Sequence, residues 1–347
     1  MFENKSRTEL STLGEFGLIN HLSQSVKIHN ATTIKGIGDD AAVIDSDGDY
    51  YNLMSTDMLV EGIHFDLAYT PLKHLGYKAV VSNISDICAM NGTASHIVIS
   101  LALSNRFSLE AVEELYAGIN AACAQYRIDL VGGDTTSNPK GLVLNITVYG
   151  RVAKDKITYR SGVTAGDLLV VSGDLGGAFM GLNILEREKR IFMEKPDFQP
   201  DLEGNDYLIQ RQLRPEPRTD IINQLAELNI KPTAMIDISD GLASEIHHLA
   251  KQSNAGFTVY EERIPLDPLT YQRGIDLGID PTVAALNGGE DYELLMTIAQ
   301  SDYDKIKNNP DLTVIGHAVA AGEGLHLISK SNNQHPLIAQ GWEAFGK

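Results

Sequence analysis

Apolar residues recur along the chain with two different periods. Alternation typical of strands occurs in DYYNLMSTDMLV at 49–60 and SHIVISLAL at 95–103, whereas spacing of three to four residues, typical of helices, occurs in PLKHLGYKAVVSNISDICAMNG at 71–92 and LEAVEELYAGINAACAQY at 109–126. Strands that alternate with helices in this way predict an α/β fold of the α+β type, with mixed sheets packed against helices.

The pattern changes near residue 154. Strand-like sequence at 130–152 gives way to a strand, a glycine turn and a helix in DLLVVSGDLGGAFMGLNILERE at 167–188, and then to a polar, proline-bearing excursion at 194–218. A length of 347 residues fits two domains better than one. We therefore predict an N-terminal domain at 1–153 and a C-terminal domain at 154–347. The glycines of the turn are interpreted as close strand-to-helix packing.

One acid lies on the apolar side of the helical segment at 71–92. With side chains plotted at about 100° per residue, Asp86 falls between Leu75 and Ala79 inside the apolar arc. A carboxylate that points inward must be protonated, paired with a base or bound to a metal ion. A basic partner, or a shallow position at the helix edge, is the simpler alternative at this point.

Further acids occur where loops meet strands. In the strand at 49–60, Ser55 and Asp57 share one face while Thr56 points to the other. The remaining acids follow short glycine-rich or strand-like runs, in GIGDD, GGDTT and MIDISDGLASEI: Asp39, Asp40, Asp134, Asp237 and Asp240. A simple turn around Asp39 and an edge position for Asp57 are the alternative interpretations.

The chemistry of these acids favours a hard cation. Clustered carboxylates with Ser and Thr hydroxyls, and without Cys or His pairs, are typical Mg²⁺ ligands. Bound Mg²⁺ would also let a chain of formal charge −18 hold a phosphorylated ligand. The same charge argues against nucleic acid and anionic membranes as partners. The sequence contains no GxxxxGK[ST], HRD or DFG signature, so a nucleotide would be held in another way.

The two cysteines, Cys88 and Cys123, form no CxxC motif, which suits a reducing compartment or simply two buried thiols. The opening residues lack a basic segment followed by an apolar one, and no apolar run is long enough to span a bilayer. We therefore expect a cytoplasmic protein that does not interact with membranes.

Seven short motifs, taken in order, resemble thiamine-monophosphate kinase: GIGDDAAV, STDMLVEGIHF, NISDICAMNG, VGGDTT, RSGVTAGD, DISDGLASE and GGEDYELL. The resemblance extends from TLGEFGLI at 12–19 through LRPEPR at 213–218 to GWEAF at 341–345. The acidic motifs are shared with a wider superfamily that includes aminoimidazole ribonucleotide synthetase, selenophosphate synthetase and a hydrogenase maturation factor. STDMLVEGIHF and GGEDYELL are the motifs that distinguish the kinase.

The resemblance implies ATP-dependent phosphorylation of thiamine monophosphate to thiamine diphosphate, on an aminoimidazole ribonucleotide synthetase-like fold whose N-terminal domains pair into a homodimer. It implies ligands for several Mg²⁺ ions: Asp39 or Asp40, Ser55, Thr56, Asp57, Asp86, Asp134 and Asp237, with Asp240 as a further candidate. It implies contacts to ATP from Tyr116, Gly133, Asp134, Arg160 and Ser239. It implies contacts to thiamine from His64, Glu290 and Trp342.

The C-terminal motif departs from the family, which more often ends GFxHF. Trp342 keeps an aromatic face for a cationic ring, but position 344 is alanine where the family has histidine. Taken alone, each of these residues has an ordinary explanation, such as a strand-end histidine for His64, a loop acid for Glu290 and a solvated surface charge for Arg160. The ordered set of motifs favours the functional interpretation.

The implied reaction is an in-line transfer in which a phosphate oxygen of the substrate attacks the γ-phosphorus of ATP. A phosphate monoester has its second pKa at about 6, so the nucleophile is already charged near neutral pH and needs no general base. Asp57, Asp86 and Asp134 would act through bound metal, and Arg160 would add positive charge.

Two other classes of protein are the alternatives: another ATP-using enzyme of the same superfamily, of the selenophosphate or purine-synthesis type, and a non-catalytic sensor. Selenophosphate synthetase and the hydrogenase maturation factor are expected to carry a terminal reactive Cys or selenocysteine, and cysteine is lacking at both ends of this sequence. A non-catalytic nucleotide or thiamine sensor would be expected to have lost metal-binding acids, and all of them are present.

Overall fold

The computed structural model describes residues 9–341 and consists of two β-sheets with helices packed on and between them. The strands are β1 Thr33–Lys35, β2 Ala42–Asp45, β3 Tyr50–Val60, β4 Thr93–Leu103, β5 Asp129–Ser137, β6 Leu142–Ala153, β7 Leu168–Ser172, β8 Ala234–Asp237, β9 Ala255–Tyr260, β10 Leu294–Ile298, β11 Leu312–Ala320, β12 Leu325–Ile328 and β13 Gln334–Pro336. The α-helices are α1 Gly14–Ser23, α2 Leu72–Ala89, α3 Leu109–Tyr126, α4 Gly177–Glu194, α5 Asp206–Leu213, α6 Thr219–Glu227, α7 Leu242–Ser253, α8 Pro268–Leu277, α9 Pro281–Asn287 and α10 Tyr303–Ile306.

Both sheets are mixed. The first has the strand order β1-β2-β3-β6-β4-β5 and is antiparallel except for the parallel pair β4–β5. The second has the order β13-β12-β9-β11-β7-β10-β8 and is antiparallel except for the parallel pair β12–β9. The predicted fold class, mixed sheets packed with helices, is confirmed.

Strand β3 shows the predicted alternation. Leu53 and Leu59 are buried on the face that also carries Ser55 and Asp57, whereas Thr56 is exposed on the opposite face. The two faces therefore meet different surroundings, because the first lies against α2 and the second is an open surface of the sheet.

Helix α2 lies between the two sheets. It contacts β3, β4 and β6 of the first sheet and β8 of the second, and every residue from Leu75 to Ser85 is buried. One hydrophobic core extends from α2 to Val170 and Met235 of the second sheet. A helix enclosed on all sides must carry its polar residues inward, which places Asp86 between the sheets.

Helix α3 packs closely on α2 through two glycines. A Cβ atom at Gly118 would lie 1.8 Å from the carbonyl oxygen of Lys73, and one at Gly76 would lie 2.1 Å from that of Leu115. Both contacts are with backbone, which cannot move aside as a flexible side chain does. The approach of the two helices therefore requires the absence of side chains at these positions.

Within residues 9–341, the structure contains no helix that combines the length and apolar character needed to cross a membrane.

We expect the variant Gly118→Ala to lower the free energy of unfolding by about 1–3 kcal/mol or more, because the added methyl group would force α2 and α3 apart. Urea denaturation measures the change. Gly322→Ala is the matched control, since a Cβ atom there meets nothing within 4 Å, and its effect should stay within about 0.5 kcal/mol. Equal effects of the two substitutions would contradict the interpretation of helix packing.

Candidate active site

Three carboxylates from distant parts of the sequence converge between the sheets. Asp40 precedes β2, Asp86 lies in the last turn of α2, and Asp237 is the last residue of β8. Each offers one oxygen atom, and these three atoms lie within 4.8 Å of one another. This distance allows one cation to contact all three carboxylates.

Serine hydroxyls orient two of these carboxylates. Ser55 Oγ on β3 donates to Asp86 Oδ2 at 2.5 Å, and Ser85 Oγ on α2 donates to Asp237 Oδ2 at 2.6 Å. A neutral donor fixes the rotamer of a carboxylate without cancelling its charge. The cluster is therefore ordered while it remains strongly negative.

Among the described residues, Arg160 provides a cation that contacts the cluster directly. Its Nη2 atom lies 2.7 Å from Asp40 Oδ1, while its backbone N–H donates to Asp39 Oδ1 at 3.1 Å. Asp39 Oδ2 lies 3.4 Å from Lys35 Nζ. Of the two adjacent acids, Asp40 thus joins the three-carboxylate cluster and Asp39 turns toward the backbone of Arg160 and the side chain of Lys35.

Burial raises the pKa values of four acids in and beside the cluster, and the charges of neighbouring aspartates add to the effect in three of them. Burial, followed by the charges of neighbouring aspartates, raises the pKa of Asp86 well above its usual value and that of Asp237 to about 7. Burial also raises the pKa of Asp57 and of Asp39 to about 6, in the second case with help from the charge of Asp40. Without a cation, the cluster therefore holds protons near neutral pH.

The donor set fits Mg²⁺. The second oxygen of Asp40, Oδ2, is buried and has no hydrogen-bond partner in the described part of the chain. The atoms of the described residues that could bind a cation here are oxygens. They include the hydroxyl of Ser55 and the carboxylate of Asp57, both on β3. Hard, oxygen-preferring divalent cations match such a site, and thiolate-preferring metals do not.

Asp57 and Thr56 are adjacent in sequence but serve different faces. Asp57 faces α2, where its backbone N–H donates to Asn83 Oδ1 at 3.2 Å. Thr56 faces the open side of the sheet, and its hydroxyl lies 3.1 Å from the carbonyl oxygen of Ile146 and 3.0 Å from Thr147 Oγ1. Only Asp57 is therefore oriented toward the helix that carries Asp86.

The turn after β8 places Ser239 and Asp240 at the edge of the same cleft. The backbone N–H groups of both residues donate to Glu245 Oε1, at 3.0 and 2.8 Å. Burial, and then the charge of Glu15 on α1, raises the pKa of Asp240 to about 6. Glu245 was not singled out in the sequence, although a glutamate that follows a turn into a helix often binds the backbone N–H groups of that turn.

An open cleft of about 2320 Å³ contains the cluster and extends beyond it. Its wall includes His64 and Glu290 as well as Arg160, Ser239 and Asp240. A site for one small ligand usually occupies about 300–1,000 Å³, so this cleft can accept two substrates side by side.

His64 has a defined hydrogen-bonding state. Its Nδ1 atom accepts the backbone N–H of Val60 at 3.0 Å, and burial lowers the pKa of the ring. The imidazole is therefore neutral near pH 7 and carries its hydrogen on Nε2.

The remaining predicted residues lie elsewhere. Gly133 and Asp134 are exposed on β5, the edge strand of the first sheet, and Tyr116 is partly buried on α3; none of the three lines the cleft within the described residues. Trp342, predicted to contact thiamine, lies outside the described residues 9–341.

Comparison with known proteins gives one consistent result. The family model "AIR synthase related protein, N-terminal domain" matches residues 38–152. The thiamine-monophosphate kinase of Bacillus subtilis is 33% identical over 341 residues, covering 96% of this chain and 100% of the relative, and that of Aquifex aeolicus is 34% identical over 338 residues, covering 97% and 99%. The solved structure "AaThiL complexed with AMPPCP and TMP" has a TM-score of 0.81 at 31% identity, covering 97% of this chain and 99% of its own.

Binding of Mg²⁺ should release protons, because Asp237 and Asp57 have raised pKa values of about 7 and about 6 and a metal ligand must be deprotonated. For an acid whose folded pKa is raised, stability is present below the unfolded value of about 4 and is lost as pH rises through about 7. The metal-free protein should therefore lose stability over this range, and millimolar Mg²⁺ should raise its melting temperature more at about pH 8 than at about pH 6.

Thermal scanning with Mg²⁺ or EDTA measures this difference, and calorimetry in two buffers counts the protons. Asp86→Asn, which removes one charge of the cluster, should reduce the Mg²⁺-dependent shift. An equal shift at both pH values in the unsubstituted protein would contradict the interpretation.

Proposed function

The chain belongs to the thiamine-monophosphate kinase family, and we propose that it transfers the γ-phosphoryl group of ATP to thiamine monophosphate, giving thiamine diphosphate and ADP. The observation that carries this proposal is the three-carboxylate cluster of Asp40, Asp86 and Asp237 on the wall of a cleft that also displays His64 and Glu290. One end of the cleft suits phosphates held through metal, and the other suits a cationic ring system.

The phosphate end is assigned to the acid cluster. Asp40, Asp86 and Asp237 would hold Mg²⁺, with Ser55 and Asp57 adjoining. The bound ions would neutralise the phosphate groups of both substrates and the charge that develops during transfer. Asp39 and Asp240 are further candidates at the rim, and the backbone of Ser239 could contact ATP.

Arg160 supports the reaction without proton transfer. Its guanidinium group is ion-paired to Asp40 and so lies beside the cluster. It fixes that carboxylate and adds a permanent positive charge where the anionic substrates meet. No general base is required, since the phosphate oxygen of thiamine monophosphate is already ionised near neutral pH.

The substrate end is assigned to His64 and Glu290. The neutral imidazole donates from Nε2, and the Glu290 carboxylate accepts hydrogen bonds or balances a positive charge. Thiamine carries both an amino group and a permanently charged ring, so it matches this pair chemically. Trp342 remains a candidate for stacking on the ring.

We further propose that the protein is a homodimer formed by N-terminal domains spanning residues 1–153, with residues 154–347 completing each site. Exposed apolar side chains occupy the open face and the edge of the first sheet: Met54, Met58, Val98 and Val131. Thr56 and Asp134 lie on this face, but β5 is three strands from β3, a separation of about 14 Å. Asp134 would therefore reach the site from the second copy, together with its neighbour Gly133 on β5 and Tyr116 on α3, the helix that contacts β5.

The proposed location is the cytoplasm. The two thiols, Cys88 and Cys123, are both buried and unbridged, a state that a reducing compartment maintains.

The first test is incubation of the protein with thiamine monophosphate, ATP and Mg²⁺, with thiamine diphosphate and ADP followed by chromatography. We expect both products in equal amounts and no reaction in EDTA.

Asp57→Asn should lower kcat by about 100-fold or more, because it removes a metal ligand at nearly constant volume. Asp304→Asn, an acid whose side chain is 82% exposed, is the control and should keep full activity. Full activity of Asp57→Asn at saturating Mg²⁺ would reject its role.

The proposed dimer predicts complementation between two inactive variants. A purified heterodimer with Asp57→Asn in one subunit and Asp134→Asn in the other would contain one site with both substitutions and one with neither. It should therefore retain about half of the unsubstituted activity, whereas each variant homodimer is inactive. An inactive heterodimer would mean that Asp134 acts within its own chain.

A further inference from the structure

The carboxylate of Glu290 is held on both of its oxygens. Lys78 Nζ lies 2.8 Å from Oε1, and Gln212 Nε2 donates to Oε2 at 2.8 Å. The same ammonium group also donates to the backbone carbonyl of Gln212 at 2.9 Å. Three residues from α2, α5 and the loop before β10 thus form one closed set of contacts.

The backbone at Glu290 is constrained as well. Glu290 has φ +58° and Tyr292 has φ +52°, a region that side-chain-bearing residues rarely adopt. Their N–H groups donate to the carbonyl oxygens of Ser239 and Ile238, at 2.7 and 2.9 Å. An unfavourable conformation persists only where its surroundings enforce it, so this loop is fixed against the turn that carries Asp240.

The excursion after α4 supplies much of that enforcement. Arg211 on α5 lies 2.8 Å from Glu293 and 3.5 Å from Asp291, and Arg218 lies 2.5 Å from Glu293. With the bond from Gln212 to Glu290, the three acids of the sequence EDYE all contact residues 211–218. Residues 211–218 belong to the polar stretch at 194–218, to which the sequence analysis assigned no role. They therefore hold the loop at 290–293 in place.

Lys78 acts on the cleft through its partner. Lys78 is 5% exposed and lines a small cavity beside the cleft together with His64 and Gln212, whereas Glu290 and Gln212 line the cleft itself. A buried ammonium group is costly unless it is paired, so Lys78 depends on Glu290 as much as Glu290 depends on it. Two acceptor positions of the carboxylate are used by Lys78 and Gln212, and the side chain remains 28% exposed for a further partner.

We propose that Lys78 and Gln212 are positioning residues that aim the Glu290 carboxylate at the amino and cationic groups of the substrate. This inference rests on the proposed function and concerns the part of the site that would bind the thiamine ring. The pair sets the direction of the remaining lone pairs of Glu290, and affinity for the cationic substrate depends on that direction. ATP, which the proposed function assigns to the acid cluster, would not contact this set.

The test compares Lys78→Met, Lys78→Arg and Gln212→Met with the unsubstituted enzyme. Lys78→Met should raise the KM for thiamine monophosphate by about tenfold or more, while the KM for ATP stays within about twofold. Lys78→Arg keeps the charge and should recover part of the loss. Gln212→Met removes the hydrogen bond to Oε2 of Glu290 and should likewise raise the KM for thiamine monophosphate. The matched control is Lys154→Met, which removes an ion pair with Asp45 outside the cleft and should leave both KM values unchanged.

A double-mutant cycle separates positioning from a purely structural role. If Lys78 acts through Glu290, adding Lys78→Met to Glu290→Gln should raise the KM for thiamine monophosphate by less than about twofold further. Additive effects, a KM for ATP that rises as much as that for thiamine monophosphate, or a lowered KM for thiamine monophosphate would overturn the proposal.

The activity of the unsubstituted enzyme distinguishes a failure of the proposed function from a failure of the positioning role. If it makes no thiamine diphosphate, the proposed function fails. If it does, and calorimetry shows that Lys78→Met and Gln212→Met both bind thiamine monophosphate with unchanged affinity, the positioning role fails while the kinase function stands.

Discussion

Electrostatic repulsion among Asp40, Asp86 and Asp237 is the constraint on which this structure depends. Three carboxylates with oxygens within 4.8 Å of one another cannot all be ionised in a buried site unless positive charge is supplied. Within residues 9–341, the guanidinium group of Arg160 contacts the cluster, and Ser55 and Ser85 contribute neutral hydroxyl donors. The fold thus orders the cluster without neutralising it, and this imbalance supports the proposal that the cleft binds cations and, through them, phosphates.

Much of this site could be predicted because its elements follow simple periodicities. The alternation in β3 correctly separated Ser55 and Asp57 from Thr56, since a strand that is buried on one face must alternate. The helical plot correctly directed Asp86 inward. In both β3 and α2, an acidic residue lies on the face that is otherwise apolar and buried. Such an exception to the apolar pattern is visible in the sequence alone.

Other features required tertiary information. The sequence analysis did not single out Lys78, because a helical plot assumes one solvent-facing side and α2 has none along Leu75–Ser85. The choice between Asp39 and Asp40 depends on where Arg160 lies, about 120 residues away in sequence. The bonds from Arg211 and Gln212 to the loop at 290–293 likewise join segments whose spacing carries no periodic signal.

Helix α2 also fixes a length. Lys78 and Asp86 are eight residues apart on one enclosed helix, a rise of about 12 Å that cannot stretch or shorten. On the proposed assignments, the carboxylate of Glu290 and the acid cluster would therefore be kept at a fixed separation. Such a site would select a substrate by the distance between its positive ring and its phosphate, and a compound with a longer or shorter linker would reach one group and miss the other.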